Sequence, residues 1–136
     1  MSSKEFHLAI ITPEGKLFDE EAIEVNLPGS EGRFGVLAGH MNLVSTLKPG
    51  VVEIRAKGDK DSKLIVVYDG LAEVNGESCS VLVEKGIYPK DIQTQELNTL
   101  LEAAKKELAN AETHVAQESA QKDIEYLEAI AQLKAN

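Results

Sequence analysis

The segment from Gly29 to Gly50, GSEGRFGVLAGHMNLVSTLKPG, is the part of the chain whose composition could cradle a phosphate, because it holds five glycines. A P-loop also needs Gly-Lys-Ser/Thr, whose lysine and hydroxyl meet phosphate and magnesium, and a dinucleotide loop lies between a strand and a helix. Here Gly15-Lys16 is followed by Leu17, and no helical pattern follows the glycine segment. The spacing therefore predicts tight turns between short strands.

The three histidines, His7, His40 and His114, fall in a predicted strand, a loop and a helix, without the spacing of metal ligands. We expect His7 at the surface and His114 in solvent at a helix break. His40 follows Gly39 at a turn, and two interpretations stay open. It makes a local hydrogen bond, or it contacts a partner, since loops often carry function.

Cys79 is the only cysteine, and it lies in a predicted strand, where a small core residue is expected. The surrounding Gly76–Ser80 lacks the last glycine of a nucleophile elbow. The acidic run Asp19-Glu20-Glu21 is expected at a turn in solvent. We predict no catalytic residue, no cofactor-binding residue and no metal ligand.

Composition narrows the class of protein further. The 136 residues fit one domain, or one domain with an appendage, and the net charge of −9 argues against binding to nucleic acid or to anionic lipid. The apolar run Leu8–Ile11 is too short for the core of a signal peptide, and no stretch approaches the roughly 20 apolar residues of a membrane span. We therefore expect a soluble, cytoplasmic chain that meets a membrane only through a partner.

The first part of the chain reads as short strands separated by turn signals such as Pro13-Glu14-Gly15 and Asn75-Gly76. Leu64–Tyr68 is continuously apolar, as in a strand buried on both faces. The predicted strands are Phe6–Thr12, Lys16–Phe18, Ala22–Leu27, Phe34–Leu37, Leu43–Leu47, Val51–Arg55, Leu64–Tyr68, Leu71–Val74 and Cys79–Glu84.

From Asp91 to Asn136 there is no glycine or proline, and good helix formers dominate. Two apolar stripes with helical spacing, Leu97–Val115 and Ala120–Ala131, predict two helices with a break between Thr113 and Ser119. We therefore predict an all-β antiparallel sandwich of about ten short strands, residues 1–88, followed by an antiparallel two-helix hairpin, residues 89–136.

The order of the motifs resembles that of the epsilon-subunit family of bacterial F-type ATP synthases, called delta in mitochondria. The resemblance is carried by Gly29-Ser30-Glu31-Gly32, Gly35-Val36-Leu37, Gly39-His40, Leu47-Lys48-Pro49-Gly50 and Asp69–Val74, and by the helical pair after the strands. It covers essentially the whole chain and is strongest in residues 6–86.

The resemblance implies a non-catalytic subunit of the central stalk that turns with the gamma subunit and couples proton flow through the c ring to ATP synthesis. It implies contacts of the sandwich with gamma and the c ring, with Glu31, Gly32, Arg33 and nearby His40 facing the polar loops of the ring. It also implies a peripheral location on the cytoplasmic face of the bacterial plasma membrane.

In this family the hairpin can extend into the alpha/beta head and block ATP hydrolysis, and in some members it binds ATP. The ATP-binding pattern, roughly I/L-D-x-x-R-A, is not matched by Asp91–Leu97, which has no arginine. Residues 91–136 carry nine acids against four lysines, which disfavours docking to acidic partner surfaces. We expect weak or no inhibition. A regulatory hairpin that arrests hydrolysis and an unrelated ligand-binding β-sandwich are the alternatives.

Overall fold

The structure, a computed structural model, describes residues 4–135. This part of the chain contains ten strands: β1 Phe6–Thr12, β2 Gly15–Ala22, β3 Glu24–Gly29, β4 Gly32–Val36, β5 Leu43–Leu47, β6 Gly50–Arg55, β7 Lys63–Val67, β8 Gly70–Val74, β9 Ser78–Val83 and β10 Gly86–Ile87. A 3-10 turn at Pro89–Asp91 then leads into α1, Thr94–Asn110, and α2, His114–Ala135.

The strands form two layers. In the first layer the order is β10, β7, β6, β3 and β4, and in the second it is β5, β8, β9, β1 and β2. The layers are joined where Gly29 of β3 pairs with Leu47 of β5, next to the corner at Lys48-Pro49. All pairings are antiparallel except that of β1 with β9, which is parallel. The predicted sandwich followed by two helices is confirmed.

The core between the layers is built from aliphatic side chains that alternate with outward-facing residues along each strand. Its largest fully buried members include Phe6, Leu8, Ile10, Leu27 and Ile54. Strand β7 is buried on both faces, as predicted: Ile65 and Val67 face this core, while Val66 faces the helices.

Two strand boundaries were predicted wrongly, around the acidic run. Strand β2 has eight residues and not three, and it includes Asp19-Glu20-Glu21 and Ala22, which were expected in a turn and in the next strand. The run lies in an exposed part of a strand that pairs with β1 along its length. Pairing with a neighbouring strand outweighs the low β-propensity of three consecutive acids.

The helix break was also predicted too far along the chain. Helix α1 ends at Asn110, and α2 already begins at His114. The Thr113 hydroxyl accepts the N–H of Ala116 at 3.1 Å, which is an N-cap hydrogen bond. Val115 consequently belongs to α2, where it is 77% exposed, and not to the apolar stripe of α1.

Helix α2 packs on the outer face of the first layer, against β6 and β7, while α1 packs mainly on α2. The Lys85 ammonium lies 4.5 Å from the ring centre of Tyr68 and 5.4 Å from that of Tyr126, and the two rings meet edge to face. At the same face Lys122 pairs with Asp69 at 3.0 Å. These contacts, together with a small apolar cluster, fix the hairpin in its compact position.

Substitution of Gly70 by alanine tests how closely β8 and β9 approach each other. A Cβ atom at Gly70 would lie 2.2 Å from the Leu82 carbonyl oxygen and 2.8 Å from a methyl of Val83. We expect Gly70→Ala to lower the free energy of unfolding by about 1–3 kcal/mol through overpacking. Urea denaturation measures the change. Gly76→Ala is the matched control, since its nearest neighbour would be 3.9 Å away; equal stability of the two variants would contradict the packing described here.

Candidate protein-interaction site

The hairpin between β3 and β4 carries three of the four residues predicted to contact a partner. Gly29 pairs with Gly32, so the turn consists of Ser30 and Glu31. Gly32 has a φ of +134°, and a Cβ at Gly29 would lie 2.7 Å from the Gly32 carbonyl oxygen. Both glycines are therefore required by the geometry of the turn, which holds the Glu31 side chain out in solvent.

The Arg33 side chain reaches across β3 toward β6 in the same layer. Its guanidinium donates to the carbonyl oxygen of Val51 at 2.8 Å and to that of Asn26 at 3.5 Å. The side chain stays exposed. It ties β4 to β6 across β3, so that any contact of Arg33 with a partner would use the remaining N–H groups of the guanidinium.

His40 lies in the loop between β4 and β5. Gly39, at a φ of +84°, donates its N–H to the Gly76 carbonyl at 2.8 Å, and the Nδ1–H of His40 donates to the Met41 carbonyl at 2.8 Å. The expected local hydrogen bond of His40 is confirmed. The contact with a partner stays a prediction.

The structure does not bring His40 next to the other three residues. The turn at Glu31 lies beside Thr46, whose carbonyl accepts the Ser30 N–H, whereas His40 lies at the opposite end of β4, beside Gly76. Strand β4 has five residues, which is about 16 Å at 3.3 Å per residue. A groove of about 430 Å³ beside the turn is lined by Glu31 and by residues of β4 and β5, and His40 does not line it.

A second candidate surface was missed at the sequence level. On the outer face of the second layer, Ile11, Leu82 and Leu71 lie side by side in register across β1, β9 and β8, and Val44 of β5 lies on the same face. Leu82 is 41% exposed and Val44 65%. We call these four residues the uncovered face, because in residues 4–135 the helices pack on the other layer.

The uncovered face is apolar although it lies on the outward side of an antiparallel sheet. An outward face of an antiparallel sheet is usually polar when it meets solvent, so contiguous apolar side chains there mark a surface for a partner. The Leu37 and Met41 side chains in the β4–β5 loop are 55% and 82% exposed. The sequence did contain one indication of this surface, the consecutive apolar residues Val81-Leu82-Val83. Because side chains alternate along a strand, at least one of three consecutive residues must point outward.

Chemistry at Cys79 is disfavoured by its environment. The side chain is buried in the core, as expected, and burial raises the pKa of its thiol to about 12. The reactive thiolate is therefore scarce near neutral pH. Within residues 4–135 no group of three His, Cys, Asp or Glu side chains could hold a metal ion, and no helix is long and apolar enough to cross a membrane.

Comparison with known proteins gives one consistent family. Residues 5–89 match the family described as "ATP synthase, Delta/Epsilon chain, beta-sandwich domain". The ATP synthase epsilon chain of Rhizobium johnstonii is 36% identical over 109 residues, which is 80% of each chain. That of Campylobacter concisus is 37% identical over 99 residues, 73% of this chain and 76% of the relative.

Two solved assemblies contain a similar fold. A chain in the Euglena gracilis mitochondrial ATP synthase (OSCP/F1/c-ring) gives a TM-score of 0.80 at 21% identity, covering 98% of this chain and 83% of that one. A chain in the Tetrahymena thermophila mitochondrial ATP synthase (central stalk/c-ring) gives 0.66 at 13% identity, covering 98% of both. The β-sandwich followed by a helical hairpin and the sequence identity with the bacterial relatives point to the same family. The chain belongs to the delta/epsilon chain family of ATP synthase.

Proposed function

We propose that this chain is a non-catalytic rotor subunit on the central stalk of a proton-translocating ATP synthase, where it couples rotation of the c ring to ATP synthesis. Family membership makes it a component of the rotary enzyme. The uncovered face is the observation that carries the proposal, because a subunit that transmits torque needs an extended contact surface, and the chain offers one.

The uncovered face is the proposed surface for the gamma subunit. It is the sheet surface left free once the hairpin occupies the first layer, and its apolar row runs across β8, β9 and β1. Glu73 of β8 and Asp19 of β2 lie on the same face in a second cross-strand row. An apolar centre with a charged rim is the usual anatomy of a protein interface.

Substitution of Val44 tests this assignment. We expect Val44→Glu to weaken binding to the gamma subunit of the same organism by about tenfold or more, because a carboxylate would be buried in an apolar interface. Isothermal titration calorimetry measures the affinity. The matched control is Val115→Glu on α2, since both valines are highly exposed. Equal loss for both variants, or no loss for Val44→Glu, would exclude the uncovered face.

The proposed contact with the c ring lies at the Glu31–Gly32–Arg33 turn, with His40 as a further contact from the other end of β4. The turn is a rigid protrusion, because Gly32 and Gly29 fix its backbone, and Glu31 is free to meet polar loops. The separation between Glu31 and His40 means that one small loop of the ring cannot contact both residues.

Single cysteines at Glu31 and His40 separate these two contacts. In membranes containing the assembled enzyme, we expect Glu31→Cys to form a disulfide with a cysteine placed in the polar loop of the c subunit. Lys60→Cys is the control, because Lys60 is exposed in the β6–β7 loop. Cross-linking at His40→Cys would extend the ring contact along β4. Equal yields at Glu31→Cys and Lys60→Cys would exclude the turn.

The proposed location is the cytoplasmic face of the bacterial plasma membrane, where the chain is peripheral and held by gamma and the c ring. We also propose that residues 1–88 and 89–136 are separate domains, the first for these contacts. The helical domain would reach the alpha/beta head only if it left its compact position.

Regulation of ATP hydrolysis by the helical hairpin is the second candidate function. The relevant observation is that α2 is docked on the sandwich. Release of α2 would break the Lys85–Tyr68–Tyr126 contact and the Lys122–Asp69 ion pair. A groove of about 330 Å³ lies between the helices and Ile87–Ile92, and its charged lining residues are Lys85, Glu107 and Asp123. Two carboxylates and one lysine that already contacts tyrosine rings disfavour nucleotide phosphate there.

Deletion of residues 91–136 separates coupling from inhibition. We expect ATP hydrolysis by the assembled enzyme to change by less than about twofold, since the acidic hairpin docks poorly on acidic surfaces. The measurement is hydrolysis with and without the hairpin, at equal occupancy of the subunit. Several-fold activation would contradict this expectation and establish the hairpin as an inhibitor.

A further inference from the structure

A compact cluster of charges joins β1 to β2 at the edge of the second layer. Both ring nitrogens of His7 meet carboxylates of β2: Nε2 lies 2.5 Å from Asp19 Oδ1, and Nδ1 lies 3.0 Å from Glu21 Oε2. Lys16 contacts the other oxygen of Asp19 at 2.8 Å. Strand β2 ends the strand order, and part of its edge is capped by the Tyr88 hydroxyl, which donates to the Leu17 carbonyl at 2.8 Å.

This geometry determines the protonation state of the ring. An ionised carboxylate only accepts hydrogen bonds, and a neutral imidazole carries only one N–H. Two carboxylates on two ring nitrogens therefore require the doubly protonated imidazolium. We propose that His7 is a pH-sensitive clamp: its charged ring bridges Asp19 and Glu21 and secures the edge strand β2, and loss of a ring proton breaks one of the two bridges.

The other groups around His7 make the clamp asymmetric. Asp19 keeps Lys16 as a second partner, whereas Glu21 has no other ion-pair partner in residues 4–135. On the opposite side, β9 contributes Ser78 directly beside His7, and the sequence of β9 contains no charged residue. Glu77, just before β9, accepts the backbone N–H of His7 through its carbonyl, and the exposed charged residues Lys4 and Glu5 directly precede β1.

The direction of the pH dependence follows from these contacts. Hydrogen bonds to Glu21 and then Asp19 raise the pKa of His7 above its usual 6.5, so the clamp stabilises the fold fully below pH 6.5 and is lost as pH rises through the folded value. Hydrogen bonds from Lys16 and then His7 lower the pKa of Asp19 below 3.8, so on the acid side the bridge between His7 and Asp19 persists until pH falls through that lower value. The window therefore covers mildly acidic to near-neutral pH.

NMR titration of the intact chain tests the clamp directly. At pH 6 we expect ¹⁵N resonances of His7 to show both ring nitrogens protonated, with the resonance assigned by its loss in His7→Gln. Glu21→Gln should move the His7 midpoint to lower pH, and Asp19→Asn should do the same. A neutral His7 at pH 6, or an unchanged midpoint in both carboxylate variants, would overturn the proposal.

Hydrogen exchange distinguishes a clamp that stabilises β2 from an ion pair that has no effect on the stability of β2. Between pH 6 and pH 8.5 we expect exchange of the β2 amides, corrected for its intrinsic pH dependence, to accelerate several-fold in the wild type. His7→Gln should exchange fast at both pH values. His114→Gln is the control, because His114 contacts one carboxylate, Glu118, in α2, and it should behave as wild type. If exchange of the β2 amides in the wild type did not depend on pH, the proposal of a clamp would be overturned.

Discussion

The packing of α2 on β6 and β7 is the contact on which the rest of the arrangement depends. It buries the outer apolar residues of one layer and leaves those of the other layer uncovered. Without it, Tyr68 and Val66 would be exposed, and the molecule would have two apolar faces and no preferred one. The hairpin thereby selects which side of the sandwich is available to a partner.

Two features of the sandwich make that selection possible. The corner at Lys48-Pro49 carries the chain from the second layer to the first, and Gly29 and Gly70 allow strands to approach where a side chain would collide. The core then closes between the layers with aliphatic residues and few aromatics.

The architecture could be predicted from residues 6–86 and the helical stripes, because turn signals and periodicity are local properties. The predicted boundaries were wrong where tertiary contacts determine the start or end of a strand or helix. Pairing with β1 carries the acidic run into β2, and the cap at Thr113 starts α2 earlier than composition indicates. The family resemblance implied that His40 lies near Glu31, but the two residues lie at opposite ends of β4. The uncovered face and the His7 cluster depend on cross-strand register, which no single strand reveals.

A cryo-EM structure of the assembled ATP synthase from the same organism would test most directly whether this chain works as a rotor subunit through its uncovered face. We expect the chain on the central stalk, with Leu71, Leu82 and Val44 buried against gamma and the β3–β4 turn at the c ring. A chain on the stalk with those side chains in solvent, and gamma bound to another face, would contradict it.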